Sequence, residues 1–242
     1  MPSYRKRFTV LLLVSAFLFS ATGRSVFGED QEQRNKDAVL KYLRPVLKEM
    51  GGSGRLYLFT SCDGRKIPLR FPRIKVQAPS KGAKGLEAVR EIFKDDKRIA
   101  VTRGPNGMVR ISFGRIPTEV LRTRIRSLRL KPDNQYTDLM AISAILSAGE
   151  VEATMHKVRL EHPVVVVSIM IITPREGLPH LPPVIRNLTL DEALDLLATT
   201  FGGLVISEQC VSSDGTGYFD ADIESVLDYS ELERREQRRI QR

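Results

Sequence analysis

Two pairs of acidic residues have the spacing that acid–base chemistry needs. Asp191 and Asp195 are one helical turn apart, and so are Glu87 and Glu91. Two carboxylates can act as general acid and base when they lie close together in a pocket. Negative charge in the first turn of a helix also complements the helix dipole, which gives Asp191 a structural explanation.

The stretch around Asp191, residues 187–207, reads NLTLDEALDLLATTFGGLVIS. Thr189 is a suitable N-cap, and Glu192, three residues later, completes a capping box. Gly202 and Gly203 then end the helix before a hydrophobic strand. These local roles account for the acidic residues, so we predict no catalytic residue in this stretch.

The three histidines, His156, His162 and His180, do not form a recognisable metal motif. His156 and His162 are six residues apart, which is not the spacing of a helical zinc pair. The chain also lacks the serine-hydrolase, phosphate-loop and zinc-protease motifs. We therefore predict no metal and no cofactor. A cleft that uses His180 with Asp191 or Asp195 is the alternative hypothesis.

Cys62 and Cys210 are the only cysteines. An even pair in an oxidising compartment predicts one disulfide, and two separate buried thiols are the alternative. The chain has no CxxC motif, so thiol redox catalysis is not expected.

The N-terminus predicts export through a cleaved signal peptide, residues 1–28. A basic cluster precedes an apolar run, and small residues follow it. The run is shorter than the ~20 residues of a spanning helix, and an uncleaved anchor is the alternative. We expect a periplasmic or secreted bacterial protein with no stable membrane span after cleavage.

The chain is basic, with a formal net charge of +9 that falls to about +5 once the signal peptide is removed. Most of the excess lies between residues 65 and 131. In an exported protein this excess favours an anionic surface, an acidic partner or a solvated face, and we expect no nucleic acid.

Hydrophobic periodicity predicts an α+β fold in which a βαββ unit occurs twice. The first unit is IPLRFPRIKV, KGLEAVREIFKDD, RIAVT and MVRISFG; the second is PPVIRN, the helix from Leu190, LVIS and YFDADI. We expect a helix over residues 37–50, kinked or split in two at Pro45, and a strand RLYLFTSC, both before the first unit.

Three further segments complete the prediction. TEVLRTRIRSLRLK alternates as a strand, DLMAISAILSAGEVEATMHKV reads as a helix broken at Gly149, and HPVVVVSIMIIT reads as a buried central strand. The tail ELERREQRRIQR is either a frayed charged helix or disordered, and we favour disorder. The predicted organisation is a signal peptide (1–28), a first unit with an N-terminal helix (30–115), a connecting strand and helix (116–160), a second unit (161–225) and a charged tail (226–242).

The second unit resembles the short N-terminal domain shared by bacterial secretins and TonB-dependent receptors. The resemblance rests on Leu188, Leu190, Ala193, Leu194, Leu197, Gly203, Leu204 and Ile206, with a second copy at Leu86, Val89, Ile92, Ile99 and Val101. It implies a small βαββ module that passes a signal or docks a periplasmic protein. The whole chain also resembles exported proteins of environmental bacteria.

We therefore expect an exported, non-enzymatic interaction module of the bacterial cell envelope. Small α+β units of this type recognise extended segments by strand addition at a sheet edge. The candidate edges are MVRISFG, with Met108, Arg110, Ser112 and Phe113, or the strands of the second unit. The alternative is an envelope hydrolase or small-ligand binder with a cleft between the two units.

Overall fold

A computed structural model of the protein describes residues 26–62, 71–104, 107–162, 178–228, 231, 232 and 234, and only the backbone of residues 26–30. The elements in chain order are α1 (Val26–Glu49), β1 (Gly54–Ser61), α2 (Gly85–Ile92), β2 (Ile99–Arg103), β3 (Val109–Phe113), α3 (Thr118–Leu121), β4 (Arg124–Arg129), α4 (Pro132–Tyr136), α5 (Asp138–Leu146), α6 (Gly149–Lys157), β5 (Leu160–Glu161), β6 (Val184–Thr189), α7 (Leu190–Phe201), β7 (Gly203–Val211) and β8 (Gly217–Ser225).

Strands and helices combine in a mixed α+β fold, as predicted. Six strands form one sheet in the order β2-β3-β1-β7-β8-β5, and β4 pairs with β6 in a second sheet. The pairs β3–β1, β1–β7 and β5–β8 are parallel, whereas β2–β3 and β7–β8 are antiparallel. β4 and β6 are antiparallel as well.

Helices cover both faces of the central sheet and bury two hydrophobic cores. On β1, Leu56 and Leu58 point into the core beneath α1 and α2, while Tyr57 points into the core beneath α5, α6 and α7. Successive side chains of a strand point to opposite faces, so a strand covered on both sides reads as a nearly continuous apolar run. β1 and β7 therefore lie at the centre of the molecule.

The predicted helix over residues 37–50 is longer than expected and is not broken at Pro45. α1 begins at Val26, inside the expected signal peptide, and continues through Pro45 to Glu49. The predicted break at Gly149 is confirmed, because α5 ends at Leu146 and α6 begins at Gly149.

Three other strand and tail predictions need correction. TEVLRTRIRSLRLK begins with the short helix α3, and its strand starts only at Arg124. Residues 71–76 of the expected edge strands form no strand, and residues 67–70 lie outside the described part. In the tail, Glu231 and Leu232 are helical, and Leu232 is buried. Burial of that leucine supplies the apolar contact that the charged tail sequence did not suggest. The expected central strand HPVVVVSIMIIT lies outside the described residues except for His162.

The two predicted units share the order helix, strand, strand but not a pattern of strand pairing. In the first hairpin β3 is the inner strand and β2 is outermost, whereas in the second β7 is inner and β8 lies farther out. β6, which opens the second unit, pairs with β4 in the other sheet. The strand pairing therefore gives no support to a duplication.

Candidate functional site

The candidate edge predicted at MVRISFG is not an edge. β3 pairs with β2 on one side and with β1 on the other. Met108, Ser112 and Phe113 are buried, and the Arg110 side chain is engaged by two carboxylates. Alternation shows which side chains face a core but does not show which strands lie alongside, so it does not place β3 within the sheet.

The outermost strand of this hairpin is β2. The Gly114 N–H donates to the Arg98 carbonyl, and the Gly104 N–H donates to the Met108 carbonyl. Because hydrogen-bonded positions alternate along an antiparallel pair, residues 98, 100, 102 and 104 turn their main-chain groups toward β3. Val101 and Arg103 therefore point their N–H and C=O groups outward, where no strand of the described chain pairs with them.

Side chains along β2 leave this outer side accessible. Ile99 and Val101 pack against the core beneath α1 and α2, while Ala100, Thr102 and Arg103 are exposed. Lys97 and Arg98 precede the strand and are also exposed. The outward row of main-chain groups is thus flanked by positive charge.

A buried ion pair fixes the start of β2. Asp96 is 4 % exposed and accepts from the Lys75 N–H at 3.0 Å and from Arg98 Nη2 at 2.6 Å. The Arg98 hydrogen bonds hold the pKa of Asp96 well below its usual range. The Arg98 guanidinium also lies over the Phe113 ring, 4.6 Å from its centroid. These contacts hold the segment just before β2 against Lys75 and Phe113.

The carboxylates considered as an acid–base pair, Asp191 and Asp195, belong to a network that links α7 to the sheet. Arg55 on β1 is fully buried, and its Nη1 donates to Asp195 Oδ1 at 2.7 Å and to the Asp191 carbonyl at 2.9 Å. Arg110 on β3 donates to the other oxygen of each carboxylate, at 2.7 Å for Asp191 and 2.5 Å for Asp195. The Tyr57 hydroxyl donates to Asp191 Oδ1 at 2.8 Å.

This network balances two guanidinium groups with two carboxylates. Burial raises the pKa of Tyr57, so the phenol remains a hydrogen-bond donor at neutral pH. All four carboxylate oxygens accept from arginine or tyrosine. The network therefore fixes the position of α7 and gives Asp191 and Asp195 a structural role.

Sequence reasoning missed Arg55 as a member of this network. The alternation of GRLYLF places Arg55 on the same face of β1 as Tyr57, a face that is buried. An arginine at an inward position requires a buried anion, because an unpaired buried charge is very costly. That signal was present, but the sequence does not show that Asp195 is the partner.

A second cluster of acidic residues lies on β7 and β8 near α1. Glu208 pairs directly with Asp220 across the two strands. Burial, with Glu32 and Asp220 nearby, raises the pKa of Glu208 to about 8. Burial also raises the pKa of Asp220, whose Oδ1 lies 3.4 Å from His162 Nδ1. At neutral pH Glu208 is therefore largely protonated beside the Asp220 carboxyl group.

The remaining histidines do not build a site with the predicted carboxylates. His180 stacks on Tyr136 with the ring centroids 5.1 Å apart, and its Nδ1 lies 3.0 Å from the Leu178 carbonyl oxygen. His156 lies in the last turn of α6. In the described part of the chain no cluster of His, Cys, Asp and Glu could hold a metal ion.

The predicted disulfide between Cys62 and Cys210 is present, with the two Cα atoms 5.2 Å apart. It joins the chain just after β1 to β7, where Thr60 already pairs with Cys210. The bond therefore closes a loop of 148 residues across two central strands. Among the helices described, none combines the length and apolar character that crossing a membrane requires.

Comparison of the chain with models of protein families, with curated proteins and with solved structures found no match.

Proposed function

We propose that the protein is an exported, non-enzymatic interaction module of the bacterial cell envelope that docks an extended segment of a partner protein. The observation that supports this function is the outer side of β2. There Val101 and Arg103 present main-chain donors and acceptors that no described strand uses. A partner segment added as a seventh strand would satisfy these groups.

The composition around β2 favours an acidic partner. Lys97 and Arg103 flank the outward main-chain groups, and both side chains are exposed. Complementary charge across an interface speeds association and suppresses wrong partners. Positive charge on an edge strand also opposes pairing between two copies of the same edge. The partner segment that fits is therefore extended, acidic and different from β2.

Thr102 and Arg103 at the C-terminal end of β2 are exposed, and so is Gly107 after the strand. Main-chain hydrogen bonds at Val101 and Arg103 would supply affinity, while the adjacent side chains would supply selectivity. The contact does not depend on the buried arginine network.

A proline substitution tests strand addition without removing a bond to β3. The N–H of Val101 points outward, so Val101→Pro deletes an outward donor and keeps the ladder between β2 and β3. Val101→Thr has nearly the same shape and keeps the donor, which makes it the matched control. Purified wild type and both variants would be used to capture proteins from envelope extract.

We expect the wild type and Val101→Thr to capture the same partner and Val101→Pro to lose it. Circular dichroism and the retained disulfide would establish that each variant is folded. Equal capture by Val101→Pro, or capture of no partner by the folded wild type, would contradict strand addition at β2.

A further inference from the structure

The second sheet has a strongly basic outer face, separate from β2. Its strands β4 and β6 read RIRSLR and VIRNLT. Exposed basic side chains lie along the two strands and at their ends; they are Arg122, Arg124, Arg126, Arg129, Lys131 and Arg186. We call this surface the arginine face.

A backbone irregularity places these arginines away from the core. Ile125 pairs with Leu188 and Leu128 pairs with Ile185, and all four side chains pack on the same core. Residues three apart on a regular strand point to opposite faces, so burial of both Ile125 and Leu128 requires a local distortion. Asn187, which has a φ of 53°, lies at this point.

The guanidinium groups of the arginine face form no ion pair within the described part of the chain. Its salt bridges do not include Arg122, Arg124, Arg126, Arg129 or Arg186. Two carboxylates lie nearby: Glu150 Oε1 accepts from the main-chain N–H of Arg126 at 3.2 Å, and Glu192, which accepts from the Thr189 N–H at 2.7 Å, interacts electrostatically with Arg124. The basic side chains of the face outnumber these two carboxylates. By contrast, Arg44, Arg55, Arg98 and Arg110 are all paired with carboxylates.

The chemistry of this face fits phosphate groups. A guanidinium group offers a planar set of donors that matches a phosphate, whereas lysine offers a point charge. β4 and β6 contain no aromatic residue, so they offer no platform on which nucleic-acid bases could stack. Six residues of strand span roughly 20 Å, a length over which several lipid headgroups could be contacted.

We propose that the arginine face binds the surface of an anionic phospholipid bilayer and holds the protein there without insertion. The proposal is independent of strand addition at β2 and uses different residues. Such contacts are electrostatic, so they weaken as salt rises.

Vesicle binding of paired variants tests the proposal. Arg126→Gln with Arg186→Gln removes two charges from the arginine face, and neither side chain has a partner in the described structure. Arg73→Gln with Arg90→Gln is the matched control, because both arginines are exposed and lie outside β4 and β6. Vesicles of phosphatidylglycerol and phosphatidylcholine in roughly equal parts would be compared with pure phosphatidylcholine by co-sedimentation.

We expect binding to the anionic vesicles alone, and a loss of about fivefold in affinity for each arginine removed, about 25-fold for the Arg126/Arg186 double variant. The Arg73/Arg90 variant should bind nearly as well as the wild type. Equal loss in both double variants would show an effect of net charge alone and would overturn the proposal. So would binding that salt does not weaken, or binding to soluble polyphosphate without binding to vesicles.

Discussion

Arg55 illustrates how one residue constrains the arrangement of several elements. Its guanidinium group is fully buried between β1 and α7, where it contacts Asp195 and the hydroxyl of Ser207. Burying an ion pair costs nearly as much as the pair returns, but removing one partner leaves an uncompensated buried charge. The network therefore matters more for the position of α7 than for total stability.

Arg55→Ala is predicted to lower the free energy of unfolding by about 3–5 kcal/mol, because it leaves the two carboxylates of Asp191 and Asp195 with a single guanidinium group, that of Arg110. The control is Arg44→Ala, which removes a pair with Glu224 in which the Arg44 side chain is 46 % exposed. That change should cost less than about 1 kcal/mol. Urea unfolding at neutral pH would measure both. Equal effects of the two substitutions would mean that the buried network is not specially stabilised.

Glu208 makes the stability of the protein fall as pH rises. The pKa of Glu208 is raised to about 8 in the folded protein, above its ordinary value of 4.5. Between these two pH values the unfolded chain has lost the proton while the folded protein keeps it, so unfolding is favoured as pH increases. Each unit by which the pKa is raised costs about 1.4 kcal/mol above pH 8.

Glu208→Gln is therefore predicted to be more stable than the wild type above pH 8, by on the order of 1–3 kcal/mol. The two proteins should have nearly equal stability near pH 4, where the carboxyl group is protonated in both states. Thermal unfolding of both proteins, measured from pH 4 to above pH 8, would show how their difference in stability depends on pH. A difference of the same size at every pH would indicate a packing effect instead of a proton-linked one.

At the scale of elements, α7 shows how local signals define a helix. The Thr189 side chain accepts from the Glu192 N–H at 3.2 Å, and Glu192 accepts from the Thr189 N–H at 2.7 Å. At the other end Gly202 has a φ of 61°, and a Cβ there would lie 2.7 Å from Leu232. The helix therefore begins after a residue whose side chain caps it and ends at a glycine that adopts a positive φ.

Thr189→Ala is predicted to cost about 1 kcal/mol, because it removes the acceptor for a main-chain N–H at the start of α7. Thr189→Ser retains the hydroxyl group and should cost much less. Chemical denaturation of the two variants would compare them directly. If serine were as destabilising as alanine, packing of the threonine methyl group would explain the loss better than the cap.

The helices and strands themselves were easier to predict from the sequence than the order of the strands in the sheet. α2, β1, β7 and the capping box of α7 depend on residues close together in the chain, and all were predicted. Strand order depends on contacts between distant residues, such as the parallel pairing of β1 with β7. For that reason MVRISFG was read as an edge although β3 lies inside the sheet. For the same reason Arg55 was not linked to Asp195, 140 residues away.

At the scale of the whole molecule, long-range contacts hold the centre of the sheet, and no described strand pairs with the outer edge of β2. The Cys62–Cys210 disulfide joins the ends of β1 and β7. Lys36, Arg44 and Lys48 of α1 form ion pairs with Asp222, Glu224 and Glu231. The hairpin of β2 and β3 extends from this fixed centre, and β2 forms one end of the described six-stranded sheet. A fixed core with an open edge is the arrangement that strand addition requires.

Amide hydrogen exchange of β2, free and bound to a captured partner, tests the central claim most directly. Val101 and Arg103 point their N–H groups outward, whereas Thr102 already bonds to β3. Partner binding should therefore slow exchange at Val101 and Arg103 and leave Thr102 almost unchanged. A stable complex in which exchange at Val101 and Arg103 stays as fast as in the free protein would contradict docking at this edge.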